Sequence, residues 1–64
     1  MANNTRMKAA RAERGLTQLD LAELVGIREI EISRIETGRS QPEPETKRRI
    51  AAILGKPAYE LFVT

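Results

Sequence analysis

Apolar residues along this chain recur every three or four positions and almost never alternate, so the pattern predicts helices and no strands. Turn signals at Gly15, Gly26, Gly38 to Pro44 and Gly55 to Pro57 divide it into five short segments. The first runs from about Asn4 to Arg14. Asn4 or Thr5 can cap its start, and Gly15 suits the left-handed position past its end. Its apolar stripe is thin: Met7 and Ala10, with Ala9 at the edge. The second opens on Thr17, an N-cap with Asp20 placed to close a capping box. Leu16 and Leu21 have the spacing of a hydrophobic staple around that cap. Leu21, Ala22 and Val25 form the buried face, Gly26 ends the helix, and Ile27 fills the turn.

The third segment runs from about Arg28 to Thr37. At 100° per residue, Ile32, Ile35 and Glu36 share one face, with Arg28 near its edge. Ile30, Ser33, Arg34 and Thr37 lie roughly opposite. A helix packed through Ile32 and Ile35 therefore turns Ile30, Ser33 and Arg34 outward, with Arg28 and Glu29 free at its tip. A fourth helix, about Glu45 to Leu54, buries Ile50 and Leu54, with Ala51 and Ile53 beside them. A fifth starts at Pro57 and carries Leu61 and Phe62 inward. Residues 17 to 38 thus read as two amphipathic helices joined by a tight turn. Few functions need one helix held rigidly across another, and reading the major groove of DNA is the commonest of them.

Composition narrows the field. At 64 residues the chain is expected to form one small domain, residues 1 to 64, of marginal stability. It has no cysteine and no histidine, which excludes zinc fingers and Ser-His triads. No apolar run approaches the ~20 residues that span a bilayer, and no signal peptide is visible at Met1, so a cytoplasmic location is expected. Eleven basic against nine acidic residues give a formal charge of +2. That permits nucleic-acid binding through a clustered patch but supplies no basic tail.

Five elements stand in register along the sequence. They are Arg11-x-x-Arg14-Gly-Leu-Thr-Gln-x-x-Leu-Ala22; Gly26-Ile27; Ile32-Ser-Arg-Ile-Glu36-x-Gly38; Pro42, Thr46, Ile50-Ala51; and Leu54-Gly55 with Glu60-Leu-Phe62. Together they resemble the phage-repressor/Cro (XRE-type) helix-turn-helix family, over roughly residues 6 to 62. The resemblance implies an all-α fold, a compact five-helix lambda-repressor-like bundle. It implies transcriptional regulation by homodimers on palindromic operators, without cofactor or metal.

By the same resemblance Gln18 contacts a DNA phosphate and braces the recognition helix. Positions 28, 29, 30 and 34 match base-reading positions, and the helical wheel independently selects most of that set. The candidate base contacts are therefore Arg28, Glu29, Ile30, Ser33 and Arg34. Arg39, Ser40 and Gln41 match a phosphate-contacting loop. Arg11 and Glu36 match an ion pair between the first and third helices.

Single residues test this reading. An arginine at 34 can fork onto guanine O6 and N7; Ile30 can touch a thymine methyl. Arg28 replaces a small capping residue and can compensate through a phosphate. Glu29 and Glu31 repel phosphates unless each finds a partner such as cytosine N4, although acids in a first turn also complement the helix dipole. Leu24 borders the core on the wheel, and Leu19 looks the more exposed. Lys47 and Pro44 depart from the family's usual residues, so the start of the fourth helix is expected to be repacked. A single module this small suggests a dimer, with Leu61, Phe62 and Val63 as contacts and the loop ending in Pro44 as another. No ligand-sensing domain fits in this length, so regulation is expected through concentration, a partner or operator arrangement. The rival is a protein-interaction adaptor or antitoxin-like module on the same fold, favoured by Glu29, Glu31, Leu19, Leu24 and Ile30. With no small-molecule substrate site assembled, an enzyme is not expected.

Overall fold

Helix starts and stops are set by the side chains the sequence supplies. In a computed structural model, which describes residues 3–62, Asn4 caps α1 (Thr5–Glu13) by accepting the Met7 N–H at 2.9 Å. Thr17 caps α2 (Gln18–Val25). Its hydroxyl accepts the Asp20 N–H at 3.0 Å, and the Asp20 carboxylate accepts the Thr17 N–H at 2.9 Å, which completes the capping box. Gly26 then turns left-handed at φ 89°, and its N–H and that of Ile27 both return to the Ala22 carbonyl. Any β-carbon would be strained there. The chain leaves that turn through Arg28, the N-cap of α3 (Glu29–Glu36), which makes no side-chain capping bond.

The fourth helix starts slightly earlier than the pattern suggests. It is α4 (Pro44–Leu54), capped by Glu43, with Pro44 at the first helical position. Proline has no N–H to lose there, and its fixed φ suits the first turn. Next comes α5 (Ala58–Leu61), with Pro57 as N-cap rather than first helical residue. Among the described residues there is no strand.

All five helices contribute to one apolar cluster. Met7, Leu21, Ile32, Ile50 and Leu61, one per helix, are its largest fully buried side chains. Leu16, Ile27, Ile53, Ala58 and Phe62 pack on its margin, so Ile27 fills the α2–α3 turn and Ile53 is half-buried. The most extensive packing is α2 on α3, with α2 on α4 next. A backbone bond from Asn4 N–H to the Glu36 carbonyl, 2.8 Å, ties the start of α1 to the end of α3. Helix α3 is therefore held from two sides while its outer face stays exposed.

Two margin positions differ from the wheel. Leu24 is 59% exposed and Leu19 49%, the reverse of the expected order. Leu24 borders the buried stripe of its own helix, but no neighbouring element covers it.

Candidate nucleic-acid interface

One buried carboxylate organises the surface. Glu36 at the end of α3 has a side chain only 3% exposed. Arg11 of α1 donates to it through Nε at 2.7 Å and Nη2 at 3.3 Å. Gln18 of α2 donates through Nε2 to Glu36 Oε1 at 3.0 Å. The remaining Arg11 fork, Nη1, reaches the Leu16 carbonyl at 2.8 Å. An unpaired carboxylate could not be buried here without a large desolvation cost. Three donated hydrogen bonds offset it, and among the described residues no buried side-chain polar atom lacks a partner. Gln18, at the first position of α2, is thereby fixed against α3. An amide nitrogen carries two hydrogens, so its second remains available. The first-turn N–H groups of Gln18 and Leu19 also have no acceptor within α2.

The outer face of α3 brings the candidate base readers together. Ile30 and Arg34 form one row along the helix, and Glu29 and Ser33 the adjacent row. Ile30 is 49% exposed, Glu29 and Arg34 are exposed, and Ser33 is half-buried. Arg28 is exposed beside them and pairs with Glu31 across 3.5 Å. That surface pair is worth only a few tenths of a kcal/mol, but it cancels one of the two acids locally.

At the other end of α3 the chain folds back on itself. Gly38 adopts φ 77°, and the N–H groups of Arg39 and Ser40 both donate to the Arg34 carbonyl, at 2.8 and 3.2 Å. Thr37 is spent locally, its hydroxyl donating to the Ser33 carbonyl at 3.0 Å. Arg39, Ser40 and Gln41 are exposed on this loop, next to the α3 face. Among the described residues neither Arg34 nor Arg39 is held in an ion pair. With Arg28 and Glu31 cancelling, the face presents two free arginines against one free glutamate.

The capping box shifts one titration. Hydrogen bonds from the Thr17 backbone N–H first, and from Thr17's side chain second, hold the Asp20 carboxyl below its ordinary value of 3.8. Among the described residues no group of acidic side chains is placed to hold a metal ion. No helix of the described residues is long and apolar enough to cross a membrane.

The expected dimer contacts need correction at Leu61. It is 2% exposed and packs in the monomer core, which leaves no surface for a second subunit. Phe62 is half-buried, with the Lys47 ammonium 5.7 Å from its ring centre. Lys47 thus lies against Phe62 rather than in the apolar cluster. Val63 lies outside the described residues. Tyr59 is 77% exposed and was not singled out by the sequence pattern, although it stands three positions before Phe62. The Gln18–Glu36 bond is likewise invisible in spacing, because it joins two helices.

A short exposed helix packed across a second and joined to it by a tight turn is the arrangement of the helix-turn-helix class of DNA-binding transcriptional regulators. A family model described as helix-turn-helix matches residues 7–61, and the chain belongs to that family, of the XRE type. Among solved structures, the chain is similar to the restriction-modification controller protein C.AhdI from Aeromonas hydrophila. The identity is 27% and the TM-score 0.84, over 92% of this chain and 89% of that one. It is also similar to Bacillus thuringiensis PlcR, solved in complex with the peptide PapR7 and DNA, at 35% identity and TM-score 0.83. That match covers 98% of this chain but only 24% of PlcR. No curated protein matches the chain significantly.

Proposed function

We propose that this chain is a sequence-specific regulator that binds double-stranded DNA as a homodimer, with α3 in the major groove. One observation carries the reading: Gln18 is locked to α3 through Glu36, and the Arg39 and Ser40 backbone folds back onto the Arg34 carbonyl at the end of the same exposed helix. In this arrangement Arg34, Ile30, Glu29, Ser33 and Arg28 face base edges. Gln18, Arg39, Ser40 and Gln41 grip phosphates on either side. A phosphate needs donors and positive charge, which the free amide hydrogens of α2 and the Arg39 guanidinium supply.

One module of this kind buries only about 600–1,000 Å², too little for tight specific binding. A second copy reading a half-site about one helical turn away supplies the rest. The contact then falls on Tyr59, Phe62 and the loop that runs into Pro44 at the start of α4. Such a protein acts in the cytoplasm, without a catalytic step or small-molecule substrate. A peptide or protein partner is compatible with the fold, and PlcR is a relative that binds both peptide and DNA.

The adaptor reading is weaker. Leu19 and Leu24 stand roughly 140° apart around α2 and do not merge into one patch. Scattered apolar residues of this kind are ordinary on a protein surface. The face of α3 and its loop is not net negative, with Arg28, Arg34 and Arg39 against Glu29 and Glu31.

Selection of bound duplexes from a random pool, at near-physiological salt, tests the proposal. A palindromic consensus bound by two chains is the expected result. Absence of any enriched sequence overturns it.

A further inference from the structure

The recognition helix carries no asparagine or glutamine, the side chains that fork onto adenine. Its outer face offers a carboxylate, an isoleucine and an arginine instead. The helix treats its two first-turn acids differently. Glu31 is held by Arg28 at 3.5 Å. Glu29, the first helical residue, is exposed and has no ion-pair partner among the described residues.

An ionised carboxylate only accepts hydrogen bonds. In the major groove guanine shows it N7 and O6, thymine shows O4, and adenine sets N7 beside its amino group. Cytosine alone presents an amino donor with no acceptor on the same base. A carboxylate at the groove floor also repels phosphates on every sequence, so it lowers affinity everywhere except where a donor meets it.

The neighbouring residues fix the context. Ile30 is next in the chain and half-exposed, suited to a thymine methyl. Arg34 stands one turn beyond Ile30, about 6 Å along the helix axis, which is roughly two base-pair steps.

Resting on the groove-reading function above, we propose that Glu29 is a specificity-determining residue that selects cytosine through its N4 amino group. The cytosine adjoins a thymine touched by Ile30, in a half-site whose guanine under Arg34 lies about two steps away. The carboxylate acts as a filter, giving up general affinity to reject the other three bases.

The test runs duplex selection in parallel on the wild-type chain and Glu29→Gln. Direct binding to duplexes that differ only at the selected pair follows. Glu29 lies outside the apolar cluster, so the substitution leaves packing intact, and circular dichroism checks this. Wild type should enrich cytosine at one position of each half-site, and replacing it by adenine should weaken binding about 5- to 150-fold. Glu29→Gln should move that position to adenine while the thymine and the guanine stay. An unchanged consensus with uniformly tighter binding overturns the proposal, because the carboxylate then only repels phosphates. A wild-type consensus that keeps guanine but lacks cytosine overturns it too, with groove reading intact. If neither protein enriches any sequence, the groove-reading function fails and the inference falls with it.

Discussion

Removing Glu36 perturbs both the stability of the bundle and the geometry of its binding face. In Glu36→Ala, Arg11 keeps only its bond to the Leu16 carbonyl, with its side chain 12% exposed. Stranding one member of such a pair costs about 3–5 kcal/mol. A domain this size has about 3–10 kcal/mol in total, at 0.05–0.15 kcal/mol per residue. Most of the stability should therefore go, and the melting temperature should fall by at least ~12 °C. Urea unfolding followed by circular dichroism at pH 7 measures the loss. The double variant Arg11→Met with Glu36→Leu removes both charges and should recover all but about 1–2 kcal/mol, since no charge is left stranded. It should nonetheless bind every duplex more weakly, because the Gln18 amide has lost its anchor. A loss below ~1 kcal/mol in Glu36→Ala would mean that the Arg11–Glu36 pair is no stronger than a solvated surface pair and does not hold the bundle together.

Arg34→Ala should weaken a selected site by about 1–3 kcal/mol and leave non-specific binding nearly unchanged; an equal loss on all duplexes makes Arg34 a phosphate contact. Gln18→Ala should weaken every sequence alike, read by anisotropy titration on specific and scrambled duplexes. A selective loss reverses that assignment. The capping box supplies a pH prediction. The folded Asp20 carboxyl titrates below 3.8, so its stabilisation is fully present above that value and is lost as pH falls through the folded value. Stability-against-pH curves of wild type and Asp20→Asn should run parallel above that range, and the wild-type advantage should shrink as pH falls through it. Gly26→Ala should cost about 1–2 kcal/mol through its left-handed backbone alone. Gly55→Ala carries the same left-handed penalty and should cost about as much, because its new β-carbon meets only the far end of the exposed Arg14 side chain, which can swing aside at the loss of its bond to the Leu54 carbonyl; thermal melts compare the two.

Local chemistry made much of this fold legible in the sequence. Thr17 with Asp20, and Gly26 with Ile27, each act within a few residues, so the limits of α2 can be read from the chain itself. The wheel of α3 likewise separates Ile32, Ile35 and Glu36 from Ile30 and Arg34, because one periodicity governs both faces. Contacts between helices are a different matter. Nothing in local pattern says that Gln18 reaches Glu36, that Arg14 lies over Gly55, or that no element covers Leu24. Leu61 shows the same limit. Its apolar side chain fits a core and an interface equally well, and only the packing of α5 assigns it to the core. The family resemblance narrows that gap at one point, because it pairs Arg11 with Glu36.

In the proposed function the outer face of α3, with Gln18 and the Arg39 loop, is the surface that meets DNA. Titrating isotopically labelled protein with its selected duplex, and following every backbone amide by NMR, tests this most directly. The largest shifts are expected at Gln18, residues 28–34 and residues 39–41, with α1 and the inner face of α4 little changed. Shifts centred instead on Tyr59 and Leu24, with the α3 face silent, contradict it.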